Sequence, residues 1–263
     1  MEETIPLDEA SKVMVDAGVF YGRKRSKTNP RMRPYIAGNR NEIEIINLQK
    51  TEECLERALT FLTERIAKGG VVLLVGTQPA ARGIEALAAE FGFPVVTRRW
   101  IGGTLTNFKI ISKRIEYFIK LKADWERKAF EQYTKKERVG IERELRRLTE
   151  LLGGIESLVA LPAALLVVDP TVHLAAVREA RLLKIPIVSL LNTDGDPDLV
   201  EYPVPGNNKS QLAINWFLAE VQKAIVAGKA ALAAAKAAAE KAAAEKQAEA
   251  GGSADAAPLP AKA

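Results

Sequence analysis

Short, wholly apolar runs alternate with amphipathic stretches along most of the chain. Residues 71–76 read VVLLVG, a β-branched run with no polar alternation, the pattern of a strand covered on both faces. The runs ALLVVD (164–169) and IPIVSLL (185–191) repeat it, and PVVT (94–97) is a shorter version. Helical patterns fill the spaces between them. Leu55, Leu59, Leu62 and Ile66 recur at helical spacing and stop at Gly69-Gly70. ARGIEALAAEFG ends at Gly92, and VHLAAVREARLLK (172–184) and SQLAINWFLAEVQKAI (210–225) read the same way. EIEIINL (42–48) alternates like a further strand. Strand–helix alternation with buried strands predicts an α/β fold: a doubly wound, mainly parallel, flavodoxin-like sheet with helices on both faces.

One stretch breaks the rhythm. Phe108, Ile111, Ile115, Phe118, Lys122 and Trp125 are spaced alternately three and four residues apart, as are Ile141, Leu145, Leu148 and Leu152. This is the heptad-like spacing of two paired helices, the second ending at Gly153-Gly154. An inserted antiparallel α-helical coiled-coil hairpin is therefore expected over 105–152, dividing a sheet domain of 1–104 and 153–226. Between Lys109 and Glu150 stand thirteen basic and eight acidic residues, either a solvated face or a grip on an anion. From residue 227 the chain is rich in Ala, Lys and Glu, which favour helix, but no apolar face is evident. Residues 227–263 are expected to form a tail, partly helical to about Gln247 and disordered beyond it.

Composition narrows the class. The 263 residues are 48% hydrophobic, sufficient for a sizeable core, and the net charge of +5 favours an anionic partner. A single cysteine, Cys54, rules out an internal disulfide and suits a reducing compartment. The first twenty residues lack a basic segment followed by an apolar one, so no signal peptide is expected. No uninterrupted apolar run approaches membrane-spanning length. The reading is a cytoplasmic protein with no membrane contact.

A doubly wound sheet invites an enzyme, and the usual carriers of catalysis are missing. No two glycines stand in G-x-G spacing and no GK[ST] occurs, so the dinucleotide and phosphate-loop fingerprints are absent. The turn GTQPAARG (76–83) could aim backbone N–H groups at a phosphate, or be only a tight strand-to-helix turn. His173 is the only histidine, which leaves no basis for a Ser–His–Asp relay or a zinc centre. Asp194, Asp196 and Asp198 mimic the start of a calcium loop, but Leu199 stands where that loop needs Gly and Pro205 where it needs Glu. A turn capped by Asp side chains is the better reading. No catalytic residue, metal site or cofactor is expected.

What remains is basic. Residues 22–40, GRKRSKTNPRMRPYIAGNR, carry seven cations and no acid, with Asp16 and Glu42 the flanking acids in sequence. Pro30 and Pro34 forbid an ordinary helix, so Arg23, Lys24, Arg25, Lys27, Asn29, Arg31 and Arg33 should project from extended or turned backbone. If 31–34 is extended, Arg31 and Arg33 share a face and Met32 faces the other way. A second acid-free stretch, TRRWIGGTLTNFKIISKR (97–114), offers Arg98, Arg99, Trp100, Asn107, Lys109, Lys113 and Arg114. Guanidinium groups that grip phosphates beside a flat ring that stacks suit folded RNA. The bland alternative is a solvated surface around a core tryptophan.

Three stretches together amount to a resemblance. AGVFYGRKRSKTNPRMRPYIAGNRNEIEIINLQKT is similar to the opening signature of the bacterial and organellar small-ribosomal-subunit protein two family. RRWIGGTLTNF resembles its second signature and DPDLVEYPVPGNN its third, in the same order, with the helical pair where that family inserts a coiled coil. The likeness spans about residues 10–226. It implies a non-catalytic protein that binds small-subunit ribosomal RNA. It also implies neighbours among the small-subunit proteins, including the large messenger-binding one, which it would help to dock. Two departures stand out. Phe20 and Arg23 occupy places where the family commonly has histidines, and Asn207-Asn208-Lys209 replaces its usual N-D-D, so no ion role is carried over from either. Two other classes stay open at this point: an enzyme of this fold acting on a phosphorylated ligand near 76–83, and a helical-hairpin adaptor binding only protein.

Overall fold

The computed structural model describes residues 9–251, with side chains over 11–238. A short helix α1 (Glu9–Asp16) leads into strands β1 (Tyr21–Lys24), β2 (Ile36–Arg40) and β3 (Ile43–Ile46). These form a small antiparallel sheet in the order β1-β3-β2. Helix α2 (Leu48–Ala67) follows, then β4 (Val72–Val75), α3 (Gly83–Phe91) and β5 (Val95–Val96). A helical pair, α4 (Phe108–Glu126) and α5 (Lys135–Leu152), comes next. The chain continues through β6 (Ala164–Val168), α6 (Leu174–Leu182), β7 (Ile187–Leu191), β8 (Tyr202–Pro205) and α7 (Gln211–Gly251).

The central sheet is parallel throughout, in the order β5-β4-β6-β7-β8. The apolar runs form it because every residue of β4, β6 and β7 is buried. Successive side chains take opposite faces. Val72 and Leu74 pack with α2, α3 and α7 through Leu62, Ile84 and Phe217. Leu73 and Val75 pack on the other face, with Ile115 and Phe118 of α4 and Val177 of α6. Helices therefore cover both faces, as the pattern predicts. Each fully buried Val or Leu contributes roughly 1.5–3 kcal/mol to holding these layers.

Four details depart from expectation. A strand does form within residues 42–48, but β3 belongs to the antiparallel sheet, whose partners β1 and β2 the basic composition concealed. Residues 31–34 are not extended: a 3-10 turn runs over Pro30–Tyr35, with Met32 buried beneath it. Strand β8 was hidden by its two prolines, which an edge strand tolerates where an interior one would not. In α4 the buried position is Leu121, whereas Lys122 is exposed and reaches Glu156 at 3.3 Å.

The helical pair is rooted in the core by Ile111, Ile115, Phe118 and Leu152, and Tyr117 Oη donates to Glu144 across it at 3.2 Å. Thr134 and Glu137 form a reciprocal cap at the start of α5. Helix α7 crosses residues 226–227 without a break. Gly228 lies against Thr63 and Ile66, Lys229 Nζ donates to the Phe91 carbonyl at 2.7 Å, and Leu232 is half-buried. A packing face thus extends past the expected start of the tail. Of the expected disorder beyond Gln247, residues 248–251 are helical instead, and residues 252–263 lie outside the described residues.

Candidate nucleic-acid interface

Because the strands of the central sheet are parallel, all five carboxyl ends lie along one edge. β5 delivers residues 97–100 there, β7 delivers 192–198 and β8 delivers 206–209. The first basic stretch is tied to that edge by long-range bonds. Arg23 N donates to Thr193 Oγ1 and Asn29 N to the Thr193 carbonyl, each at 2.8 Å. Strands β5 and β7 are three places apart, about 14 Å at the usual interstrand spacing. The topology thus brings two basic stretches, separated in sequence, to one rim.

Their cations divide into two groups. Arg23 Nε meets Asp194 Oδ2 at 3.1 Å, and Arg31 meets Asp196 at 2.6 Å and Asp198 at 3.3 Å. The acid-free stretch is therefore partly neutralised by acids some 170 residues away. Asp196 also caps its own turn, accepting from Asp198 N at 3.1 Å. Asn29 accepts from Arg31 N at 3.0 Å and so shapes the turn. By contrast, Lys24, Arg25, Lys27, Arg33, Arg98, Arg99, Lys109, Lys113 and Arg114 are exposed. Among the described residues none of these pairs with an acid. Asn107 is exposed where α4 begins.

Of the two expectations for Trp100, a ring that stacks on a base and a core residue, its position is that of the core residue. It is 9% exposed and packs with Val96, Leu105 and Ile111. Its indole N–H donates to Glu179 Oε1 at 2.9 Å. Glu179 also accepts from the backbone N–H groups of Gly103, Leu105 and Thr106 and from the Thr106 hydroxyl, at 2.9–3.2 Å. Burial alone would raise this carboxyl's pKa, but the donors outweigh burial and hold it below the ordinary carboxylate value. The clasp fixes the loop that carries Arg98 and Arg99. A glutamate among Ala176, Val177 and Ala180 on the apolar face of α6 was the sequence signal for it.

The crevice between the carboxyl ends of β4 and β6, where strand order reverses, is the usual ligand site of such sheets. Here the chain fills it. Asp169, in a left-handed backbone conformation with φ of 68°, is fully buried. Its carboxylate accepts from Lys209 Nζ at 2.6 Å, Gln78 Nε2 at 2.7 Å and the Thr171 hydroxyl. Burial pushes its pKa up, and these donors together hold it down. His173 is buried beside it, accepting from Thr77 N at 3.4 Å, and burial holds its pKa below the ordinary imidazole value. Beside this plug a cavity of about 380 Å³ opens between Arg82 and Arg98.

The family model described as Ribosomal protein S2 matches residues 14–228. The chain belongs to the ribosomal protein S2 family. Small ribosomal subunit protein uS2 of Thermus thermophilus is 43% identical over 223 residues, covering 84% of this chain and 87% of that protein. The uS2 of Sorangium cellulosum is 42% identical over 216 residues, covering 82% and 78%. The uS2 of Maridesulfovibrio salexigens is 42% identical over 222 residues, covering 83% and 85%. As a member of the S2 family the chain is a structural, non-enzymatic constituent of the small ribosomal subunit, acting in translation. Its place is the ribosome, in the cytoplasm of bacteria. Among the described residues no helix is long and apolar enough to cross a membrane.

Proposed function

We propose that the chain binds small-subunit ribosomal RNA along the carboxyl edge of its parallel sheet. The observation that carries this reading is the gathering, from two separate segments, of exposed cations that pair with no acid among the described residues. Lys24, Arg25, Lys27 and Arg33 supply one cluster, and Arg98, Arg99, Lys109, Lys113 and Arg114 the other. Arg23 and Arg31 act differently: held by Asp194, Asp196 and Asp198, they brace the first cluster and offer their remaining N–H groups. The helical pair serves as the inserted antiparallel coiled-coil hairpin of 105–152, extending the basic surface away from the sheet domain.

Docking of the large messenger-binding protein of the subunit is the second arm, and it rests on the family likeness. A surface separate from the basic rim offers room for it. Between α1, α2 and α7 lies a groove of about 410 Å³ with Leu55, Leu59 and Trp216 on its floor and Glu52, Glu56 and Glu220 on its border.

The test replaces Lys24, Arg25, Lys27 and Arg33 with Ala together. Thermal stability should hold, since exposed charges contribute little to folding. RNA affinity should fall, and its salt dependence should flatten by roughly 0.7–0.9 log units per log salt for each phosphate that is no longer neutralised. An unaltered salt slope would remove the first cluster from the interface.

A further inference from the structure

A cavity of about 620 Å³ opens beneath the first basic cluster, lined by Arg25, Arg33, Gly38, Asn39 and Glu44. Its size lies within the roughly 300–1,000 Å³ of small-ligand sites. Glu44 is its unusual feature. On β3 it alternates with Ile43 and Ile45, so its side chain takes the same face as the buried Ile46. It is 7% exposed, yet among the described residues no donor or cation reaches its carboxylate. Neither oxygen is sealed from solvent. Asn39 is its direct partner across the β2–β3 ladder, so the amide and the carboxylate stand side by side on one face. Arg25 is fixed at the rim by its N–H to the Glu42 carbonyl at 2.9 Å.

We infer that this cavity receives an unpaired guanine of the bound RNA, a reading that rests on the RNA-binding role proposed above. An inorganic anion would be repelled by Glu44, and a free metal cation by Arg25 and Arg33. A nucleotide satisfies both ends, with its phosphate at the arginines and its base at the carboxylate. Guanine is the standard base whose Watson–Crick edge offers two adjacent donors, N1–H and the 2-amino group, which match the two oxygens of a carboxylate. Adenine, cytosine and uracil each place an acceptor next to their donor, which the carboxylate repels. The Asn39 amide can donate to guanine O6.

The experiment measures fluorescence anisotropy of the full chain with five RNA hairpins that differ at one loop position, carrying G, inosine, A, C or U. The guanine loop should bind about tenfold more tightly than A, C or U, with inosine, which lacks the 2-amino group, in between. Glu44→Gln keeps the shape of the strand but turns one acceptor into a donor, and should erase the preference. Asn39→Leu, at an exposed position directly opposite Glu44, removes the amide that would meet O6 and sets apolar bulk on the same face, and should erase it independently, without loss of fold. Equal binding of all five loops, or a guanine preference that survives both substitutions, overturns the pocket and leaves RNA binding standing. Failure to bind any hairpin overturns both.

Discussion

Glu179 on α6 holds Trp100 in the loop after β5, the indole N–H donating to Oε1 at 2.9 Å. The same carboxylate gathers three backbone N–H groups and a hydroxyl from residues 103–106. One buried charge therefore orders the whole turn between the sheet and the helical pair. Glu179→Ala would leave several of these donors unpaired, two of them buried, at about 1–3 kcal/mol each. Urea denaturation should show a loss of about 3 kcal/mol or more. A loss under about 1 kcal/mol would mean that the turn is held by packing alone.

Stability should fall in two stages as pH drops. His173 has a folded pKa below the ordinary 6.5, so just under that pH the unfolded chain binds more protons and stability declines. The slope cannot exceed about 1.4 kcal/mol per pH unit for one group. His173→Gln should flatten the fall of the melting temperature just below pH 6.5. Asp169 and Glu179 are depressed below their ordinary 3.8 and 4.5, so their contribution is present above those values and is lost as pH falls through the folded ones. That second stage should persist in the histidine variant.

Gly154 sits against the Val95 carbonyl so closely that a Cβ would collide with backbone. Gly154→Ala should push the root of the helical pair off the sheet edge and cost about 1–3 kcal/mol. Gly140→Ala, where nothing lies within 4 Å inside α5, should instead add about 0.5–1 kcal/mol. Thermal melts of the two variants should move in opposite directions.

Two truncations separate the packed part of α7 from the rest. Ending the chain after Gly228 removes the Lys229 bond to Phe91, its approach to the Phe91 and Phe93 rings at 5.1 and 5.3 Å, and the packing of Leu232. That should cost about 1–2 kcal/mol. Ending it after Ala238 retains these interactions and should leave stability unchanged. Equal melting of the two truncated chains would mean that the packing past Gly228 contributes nothing.

The basic interface was legible as composition and only partly as geometry. That residues 22–40 could not be a regular helix followed from Pro30 and Pro34, and the two 3-10 turns there agree. That Arg23 and Arg31 have acidic partners did not follow, because Asp194 and Asp196 stand 171 and 165 residues further along. The burial of Trp100 stayed undecided for the same reason. A tryptophan between arginines and glycines reads either as a stacking ring or as a core residue until its distant partner Glu179 is known.

Local physics was enough for helices α2 to α6 and for the buried strands, though not for α1 or for the packed reach of α7 past residue 226. Wholly apolar β-branched runs have no stable place except inside a sheet covered on both faces, and VVLLVG, ALLVVD and IPIVSLL are buried there as β4, β6 and β7. The same reasoning found the two helices of the inserted pair and their end at Gly153. Only the tertiary structure decided which strands pair, and so the small antiparallel sheet and the edge strand β8. Only it set Glu44 beside Asn39 beneath two arginines, and sorted the cations into braced and free. Hydrophobic burial depends on each residue's own type and its near neighbours, whereas charge pairing and strand register depend on chain segments that folding brings together from far apart.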